Sequence, residues 1–147
     1  MRVCVLPFKN ISGDADLDFL RDGMTEAVMT DFGQADGVTL IERAQIDLDI
    51  QELEFSQSRY VDPATRAKIG AIQGAEVVLL GGFQRAGTTV RAHARFVDVE
   101  TGEVLRAVKV ERTARRRHED GLLFELQDDL AARVRDVVPD IVAQLRR

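Results

Sequence analysis

The hydrophobic positions at the start of the chain follow first a strand pattern and then a helical pattern. Residues 3–8 form a short apolar run that Pro7 closes, and the turn-forming letters NISG come soon after it. Apolar residues then recur at helical spacing over residues 17–32, with Asp16 in the position of a helix cap. The pattern predicts a buried strand, a turn and an amphipathic helix that packs on a sheet.

The middle of the chain predicts one strand and two helices. Residues 38–41 form a short apolar strand, and the apolar positions of residues 43–54 then fall on one helical face. Asp62 followed by Pro63 is a preferred start for another helix, which the pattern carries to Gly74. We expect an exposed loop between these two helices.

The last part of the chain predicts an antiparallel meander and a long helix. The continuous apolar run at residues 76–83 is typical of a strand covered on both faces, and its two glycines permit a bulge or a close backbone approach. Two strands that alternate apolar and polar residues follow the turns at 85–88 and 98–102. A helix begins near residue 119, and Pro139 must kink it, end it or open a last short helix.

The predicted elements follow the order β-α-β-α-α-β-β-β-α, without an internal repeat. This order predicts an α/β fold of the α+β kind, in which helices pack on a mixed sheet that ends in a three-stranded antiparallel meander. The chain has 147 residues, the usual size of one domain. We therefore expect residues 1–147 to form a single domain, either complete or excised from a longer protein.

Composition narrows the class of partner. Apolar residues make up 45% of the chain and charged residues 31%, a balance that favours a folded chain over a disordered one. The net charge of -5 argues against a nucleic-acid partner, and the basic cluster at residues 115–118 is typical of a solvated connector. No stretch approaches the roughly 20 apolar residues of a membrane-spanning helix. We expect a soluble chain whose partners are other proteins or further copies of itself.

The reactive side chains do not form a recognised site. Cys4 is the single cysteine and lies between two valines of the first strand, so it is interpreted as a buried, inert thiol. His93 and His118 have no nucleophile motif beside them and are interpreted as surface histidines. The sequence thus predicts no catalytic residue, no cofactor and no metal ligand.

Carboxylates occur in two groups. Asp14, Asp16 and Asp18 have the spacing of the first ligands of a calcium loop, but Phe19 stands where that loop needs glycine and Thr25 where it needs glutamate. These acids are interpreted as a helix start. The second group, on the last helix, consists of Glu125, Asp128 and Asp129. It is interpreted as an exposed helix face rather than a catalytic pair.

Three segments resemble the TolB-like amino-terminal domain. They are VLPFKNISGD at residues 5–14, DFLRDGMTEAVMTDF at residues 18–32 and FELQDDLAARV at residues 124–134. The middle, residues 40–83, is more similar to curli-secretion-pore and flagellar-outer-membrane assembly proteins, whose ERAQ and VDP-A-T helix starts it shares. The resemblance implies helices packed on a mixed sheet, in a domain used by envelope-assembly lipoproteins and as an accessory domain of bacterial signalling proteins.

The chain departs from the pore-forming relatives in two features. Those relatives carry a lipid-anchored cysteine and long membrane-inserting hairpins, whereas Cys4 lies inside the first strand here and the turns at residues 85–88 and 98–102 are short. Pore formation by this chain is therefore not expected.

Two hypotheses about function follow. The first is a non-catalytic protein-protein interaction or assembly scaffold domain of a bacterial envelope or signalling protein, with a periplasmic or envelope-associated location favoured over a cytoplasmic signalling context. The alternative is a small-molecule-sensing regulatory module, in which Asn10, Ser12, Gly13 and Asp14 line a ligand or partner crevice at the end of the first strand. An enzyme would need convergent polar side chains in a deep pocket, for which the sequence offers no positive sign.

Overall fold

The computed structural model describes residues 1–41, 74–115 and 120–146. The strands are β1 (Arg2–Val5), β2 (Lys9–Asn10), β3 (Thr39–Ile41), β4 (Val77–Ala86), β5 (Thr89–Asp98) and β6 (Val104–Thr113). The helices are α1 (Leu20–Phe32), α2 (Asp120–Asp136) and α3 (Val138–Leu145), and a 3-10 helix (Ala15–Leu17) precedes α1. The two helices predicted at residues 43–54 and 62–74 fall outside the described residues, apart from Gly74.

The strands form one mixed, open sheet in the order β3-β1-β4-β5-β6. β1 pairs in parallel with both β3 and β4, whereas β4, β5 and β6 pair antiparallel. The predicted mixed sheet with a carboxyl-terminal antiparallel meander is confirmed. Turns of two and five residues join the meander strands, as the short predicted turns required.

The segment after Pro7 differs from its predicted structure. We expected Asn10 in the turn, but Lys9 and Asn10 form the short strand β2, which pairs in parallel with Gly82 and Phe83 of β4, and the bend follows at Ile11 and Ser12. Pro7 has no N–H and interrupts the ladder between β1 and β2. Before Pro7, the N–H of Leu6 donates to the carbonyl oxygen of Leu79 in β4 at 2.9 Å, and after it the N–H of Phe8 donates to Oγ1 of Thr25 in α1 at 3.1 Å. The chain then returns to β4, and this long-range pairing decides the conformation of Lys9 and Asn10.

The predicted start of the first helix is wrong by about one turn. The chain first makes the 3-10 helix, and α1 begins only at Leu20. Asp14, rather than Asp16, is the capping residue, because its Oδ1 accepts a hydrogen bond from the backbone N–H of Asp16 at 3.0 Å.

Pro139 opens a last short helix, which is one of the three predicted outcomes. α2 ends at Asp136, and Pro139 lies in the first turn of α3. Backbone N–H groups in the first turn have no partner within the helix, so the missing N–H of Pro139 costs no hydrogen bond there. Both helices return along β6, because Arg112 near the end of β6 pairs with Asp129, and Arg106 near its start donates to Gln144 at 3.1 Å.

Among the described residues, the core has one large hydrophobic cluster and one small one, on opposite faces of the sheet. The large cluster fills the space between the sheet and the helices, and within it the rings of Phe32 and Phe96 lie 5.6 Å apart. The small cluster lies on the other face, near β1. It consists of Cys4, Leu6, Ile41, Ala75, Val78, Leu80 and Val97. The apolar run of β4 is thus buried on both faces, as its composition predicted.

Candidate functional site

The four predicted crevice residues lie together in the loop between β2 and the 3-10 helix. Asn10 ends β2, and Gly13 adopts a φ of 68°, a left-handed conformation that glycine enters without a steric penalty. This freedom turns the chain back toward the helix layer. The structure therefore brings Asn10, Ser12, Gly13 and Asp14 into one loop, while their role in binding a ligand stays a prediction.

Hydrogen bonds within this loop use most of its polar side-chain atoms. Nδ2 of Asn10 donates to the carbonyl oxygen of Asp14 and to Oδ1 of Asp18, each at 2.8 Å. The Ser12 hydroxyl donates to Oδ1 of Asn10 at 3.3 Å. The Asn10 amide is therefore a structural centre that holds both sides of the loop together.

Arg85 fastens the same loop to β4. Its Nη1 pairs with Oδ2 of Asp14 at 2.9 Å, and its backbone N–H donates to the Ser12 hydroxyl at 3.4 Å. From the sequence, Arg85 is predicted only as part of a hairpin turn, without this role. Arg85 lies 71 residues from Asp14 along the chain, so no local pattern could have indicated the pairing.

The spacing of Asp14, Asp16 and Asp18 does not create a cation site in the structure. Asp14 is engaged by Arg85, and Asp18 by Asn10. Over the described ranges, no group of three or more histidine, cysteine or acidic side chains is placed to hold a metal ion.

A second surface lies beside β6, where a groove of about 610 Å³ separates this strand from α2. The lining residues are Lys109, Val110, Glu111, Arg112, Asp129, Ala132, Arg133 and Asp136. Arg112 spans part of the groove, with Nε at 2.7 Å from Asp129 and Nη1 at 3.5 Å from Glu125. The hydrogen bond and charge of Asp129 raise the pKa of Arg112 above its ordinary value. Part of the acidic group on α2, interpreted only as an exposed face, thus also anchors β6.

His93 and Cys4 occupy the sheet face that turns away from the helices. His93 is half-buried rather than fully solvated, and burial, followed by the charge of Arg95, lowers its pKa. Cys4 is buried as predicted, and burial raises the pKa of its thiol to about 12. The thiolate needed for nucleophilic or redox chemistry is therefore disfavoured in the folded chain. His118 falls outside the described residues.

The two helical segments that resemble the TolB-like domain become neighbours in the structure. A Cβ atom on Gly23 of α1 would lie 2.6 Å from Nε2 of Gln127 on α2, so the two helices contact each other at this glycine. Near this contact, Phe19 and Phe124 expose 53% and 64% of their surface. Exposed aromatic side chains are typical anchors of protein interfaces. The surface around Phe19 and Phe124 is therefore a further candidate interaction surface, in addition to the groove beside β6.

Within the part of the chain that the structure describes, no helix is both long and apolar enough to cross a membrane.

No family model matches the chain. Among curated proteins, it is 31% identical over 128 residues to the putative adenylate cyclase 3 of Rhizobium meliloti. The similarity covers 87% of this chain but only 19% of the length of that relative.

Solved structures show the same fold at low sequence identity. TolB from Acinetobacter baumannii is similar over 96% of this chain and 28% of its own, with 14% identity and a TM-score of 0.58. Lipoprotein GNA1162 from Neisseria meningitidis is similar over 93% of this chain and 98% of its own, with 23% identity and a TM-score of 0.57.

A third structure, a PelC dodecamer from Paraburkholderia phytofirmans, is similar over 90% of this chain and 84% of its own, with 18% identity and a TM-score of 0.51. The predicted TolB-like fold is thereby confirmed. The likeness to curli-secretion-pore and flagellar-outer-membrane assembly proteins stays a prediction. The chain shares its fold with TolB, with lipoprotein GNA1162 and with PelC.

Proposed function

We propose that this chain is a non-catalytic protein-interaction domain of a bacterial envelope protein, which assembles with further copies of itself or docks on other proteins. The fold likeness to lipoprotein GNA1162 carries this proposal, since it spans 93% of this chain and 98% of that one. A domain with this fold thus makes up nearly the whole of a solved lipoprotein chain.

Self-assembly is supported by the PelC structure, in which a chain of the same fold forms a dodecamer. This chain also offers two surfaces suited to protein partners, namely the groove between β6 and α2 and the exposed Phe19 and Phe124. The groove lies between a strand and a helix, Phe124 lies on α2, and Phe19 directly precedes α1, so little ordering of the chain would oppose association.

Light scattering after size-exclusion chromatography tests the self-assembly part of the proposal. We expect a mass that is a multiple of the 16.4 kDa of one chain and that falls as the protein is diluted. A mass of 16.4 kDa at millimolar concentration would contradict it.

The alternative, a small-molecule-sensing regulatory module of a signalling protein, is favoured by one observation. The relative with 31% identity is a putative adenylate cyclase, and this chain corresponds to 19% of its length. In that context the chain would be one domain of a longer cytoplasmic signalling protein, and the loop containing Asn10, Ser12, Gly13 and Asp14 would bind the signal molecule.

A thermal-shift screen with nucleotides and common metabolites tests this alternative. A ligand at about 100 times its dissociation constant stabilises the folded chain by about 2.7 kcal/mol, which raises the melting temperature by several degrees. The shift should shrink in Ser12→Ala and persist in Thr30→Ala, which changes an exposed hydroxyl on α1. A shift of equal size in both variants would place the ligand outside the loop.

A further inference from the structure

β6 is a ten-residue strand at the edge of the sheet. One of its edges pairs with β5 along nearly its whole length, and within the described residues no strand pairs with the other edge. An edge strand of this length offers a row of backbone N–H and C=O groups to a further strand.

The hydrogen-bond pattern of the β5 and β6 pair shows which residues offer these groups. The N–H of Ala114 donates to the carbonyl oxygen of Thr88 at 2.8 Å, just beyond the register pair of Thr89 and Thr113. Antiparallel pairs alternate between bonded and non-bonded residues, so the even-numbered residues of β6 bond to β5. The odd-numbered residues therefore direct their N–H and C=O groups away from the sheet. They are Ala107, Lys109, Glu111 and Thr113, and all four are exposed.

Charge and the number of paired residues together favour one register in which two copies of this edge can pair. In a continuous sheet with a two-fold axis, outward residues of one copy lie opposite outward residues of the other. A register centred on Lys109 would set two lysines face to face, which is unfavourable. Moving the axis by one residue, to Val110, places Lys109 opposite Glu111 twice and Ala107 opposite Thr113 twice. This register uses all four outward residues and joins only unlike charges.

The groove beside β6 lies where the added strand would sit. It runs along the exposed side of Lys109 to Arg112 and is bounded by α2, so side chains of the second copy that point to the helix side can enter it. Its wall carries both Arg133 and Asp136, whose opposite charges suit a surface that meets its own copy.

We propose that β6 pairs antiparallel with β6 of a second copy of this chain, about a two-fold axis at Val110, to form one continuous sheet. This inference rests on the proposed assembly function and specifies its interface. The groove accommodates the partner's side chains, and the crossed pairs of Lys109 and Glu111 set the register.

Charge reversal tests the register. Lys109→Glu replaces two attractive pairs by two repulsive ones, and we expect the dimer dissociation constant to rise about tenfold or more. Glu111→Lys makes the same change between the copies and also breaks the ion pair of Glu111 with Arg91 of its own chain, so Lys109→Glu is the cleaner of the two variants. The double variant Lys109→Glu/Glu111→Lys restores unlike pairs and should return the constant to within about threefold of the starting value. Arg21→Glu makes the same charge change as Lys109→Glu on the exposed start of α1 and should have no such effect.

Cysteine cross-linking tests the position of the axis. Val110 faces its own copy in a non-bonded pair, where the Cα atoms lie about 4.5 Å apart and a disulfide can form. Val110→Cys should therefore oxidise to a covalent dimer, whereas Val108→Cys, which lies opposite Arg112 of the second copy, should stay monomeric under denaturing conditions. Equal cross-linking of the two variants would overturn the register.

The outcomes separate this interface from the assembly function. If the chain assembles but all four charge variants associate equally, the pairing through β6 is wrong and the assembly function stands. If the unaltered chain remains a monomer at millimolar concentration, the self-pairing and the self-assembly part of the proposed function fail together. Circular dichroism spectra that match the unaltered chain would show that the variants are folded.

Discussion

The two faces of the sheet differ in how far their apolar surface extends. On the helix-covered face, the hydrophobic cluster runs from β1 to β6 and includes every second residue of β5 from Val90 to Phe96. On the opposite face, the cluster stops at Val97, and β5 continues with Arg91, His93 and Arg95. Over the part of the chain that the structure describes, the first face is a continuous core, whereas the second is a local core beside polar side chains of β5.

This difference shows why one sheet can both stabilise the fold and remain available for association. Apolar burial on the helix side supplies most of the driving force for folding, because it scales with the apolar area removed from water. Among the described residues, the polar face and the outer edge of β6 contribute less to the core, so contact with a partner there would not disturb it.

Truncation of neighbouring residues on the two faces should give the largest change in the free energy of unfolding. Phe96 points to the helices and packs on Phe32, whereas Val97 points to the small cluster. Phe96→Ala should lower the free energy of unfolding by about 3–5 kcal/mol, since a large cavity is left in the core. Val97→Ala removes far fewer atoms and should lower it by about 2 kcal/mol. Urea denaturation measures both values, and equal losses would contradict the distinction between the faces.

Adding a methyl group to either of the two adjacent glycines of β4 should give the next largest change in the free energy of unfolding. A Cβ on Gly81 would lie 2.7 Å from the Phe8 ring and closer still to the carbonyl oxygen of His93. A Cβ on Gly82 would mainly meet Ile11, whose half-exposed side chain can move. We expect Gly81→Ala to cost about 3 kcal/mol, the upper part of the range for overpacked cores, and Gly82→Ala clearly less. The order of the two urea midpoints checks this expectation.

Titration of His93 should give the smallest effect, confined to the polar face. Burial and Arg95 lower the pKa of His93 below its ordinary 6.5 in the folded chain, and Lys109 lies opposite it on β6. As the pH falls below about 6.5, His93 is protonated more readily in the unfolded chain than in the folded chain, so the free energy of unfolding decreases.

His93→Gln removes this proton uptake and should flatten the decrease between about pH 7.5 and about pH 5.5. Urea midpoints of both proteins at the two pH values measure the difference. Parallel pH profiles for His93→Gln and the unaltered chain would contradict a shifted histidine in the folded state.

Local patterns in the sequence predicted most of the described elements. Alternation along residues 89–98, the apolar run at 76–83 and the helical spacing of residues 17–32 correspond to β5, the first part of β4 and α1. Such patterns predict the elements correctly because the spacing of apolar residues in a strand or a helix is set by residues that are only a few positions apart. The candidate loop was also identified locally, since glycine and asparagine favour turns.

The errors arose where distant segments decide the conformation. β2 exists because β4 supplies its hydrogen bonds. Asp14, rather than the predicted Asp16, is the capping residue, and it lies in a loop that Arg85 also holds. Neither partner is adjacent in sequence, so propensity and spacing carried no sign of it.

The sequence by itself determined the mixed sheet, the meander, the burial of Cys4 and the amphipathic helices, because these follow from hydrophobic periodicity and short turns. Only the tertiary structure decided that Arg85 closes the loop at Asp14, that α1 and α2 meet at Gly23, and that β6 lies at an edge with Lys109 and Glu111 directed outward. These features depend on contacts between residues that are far apart in the chain, and such contacts leave no local pattern in the sequence.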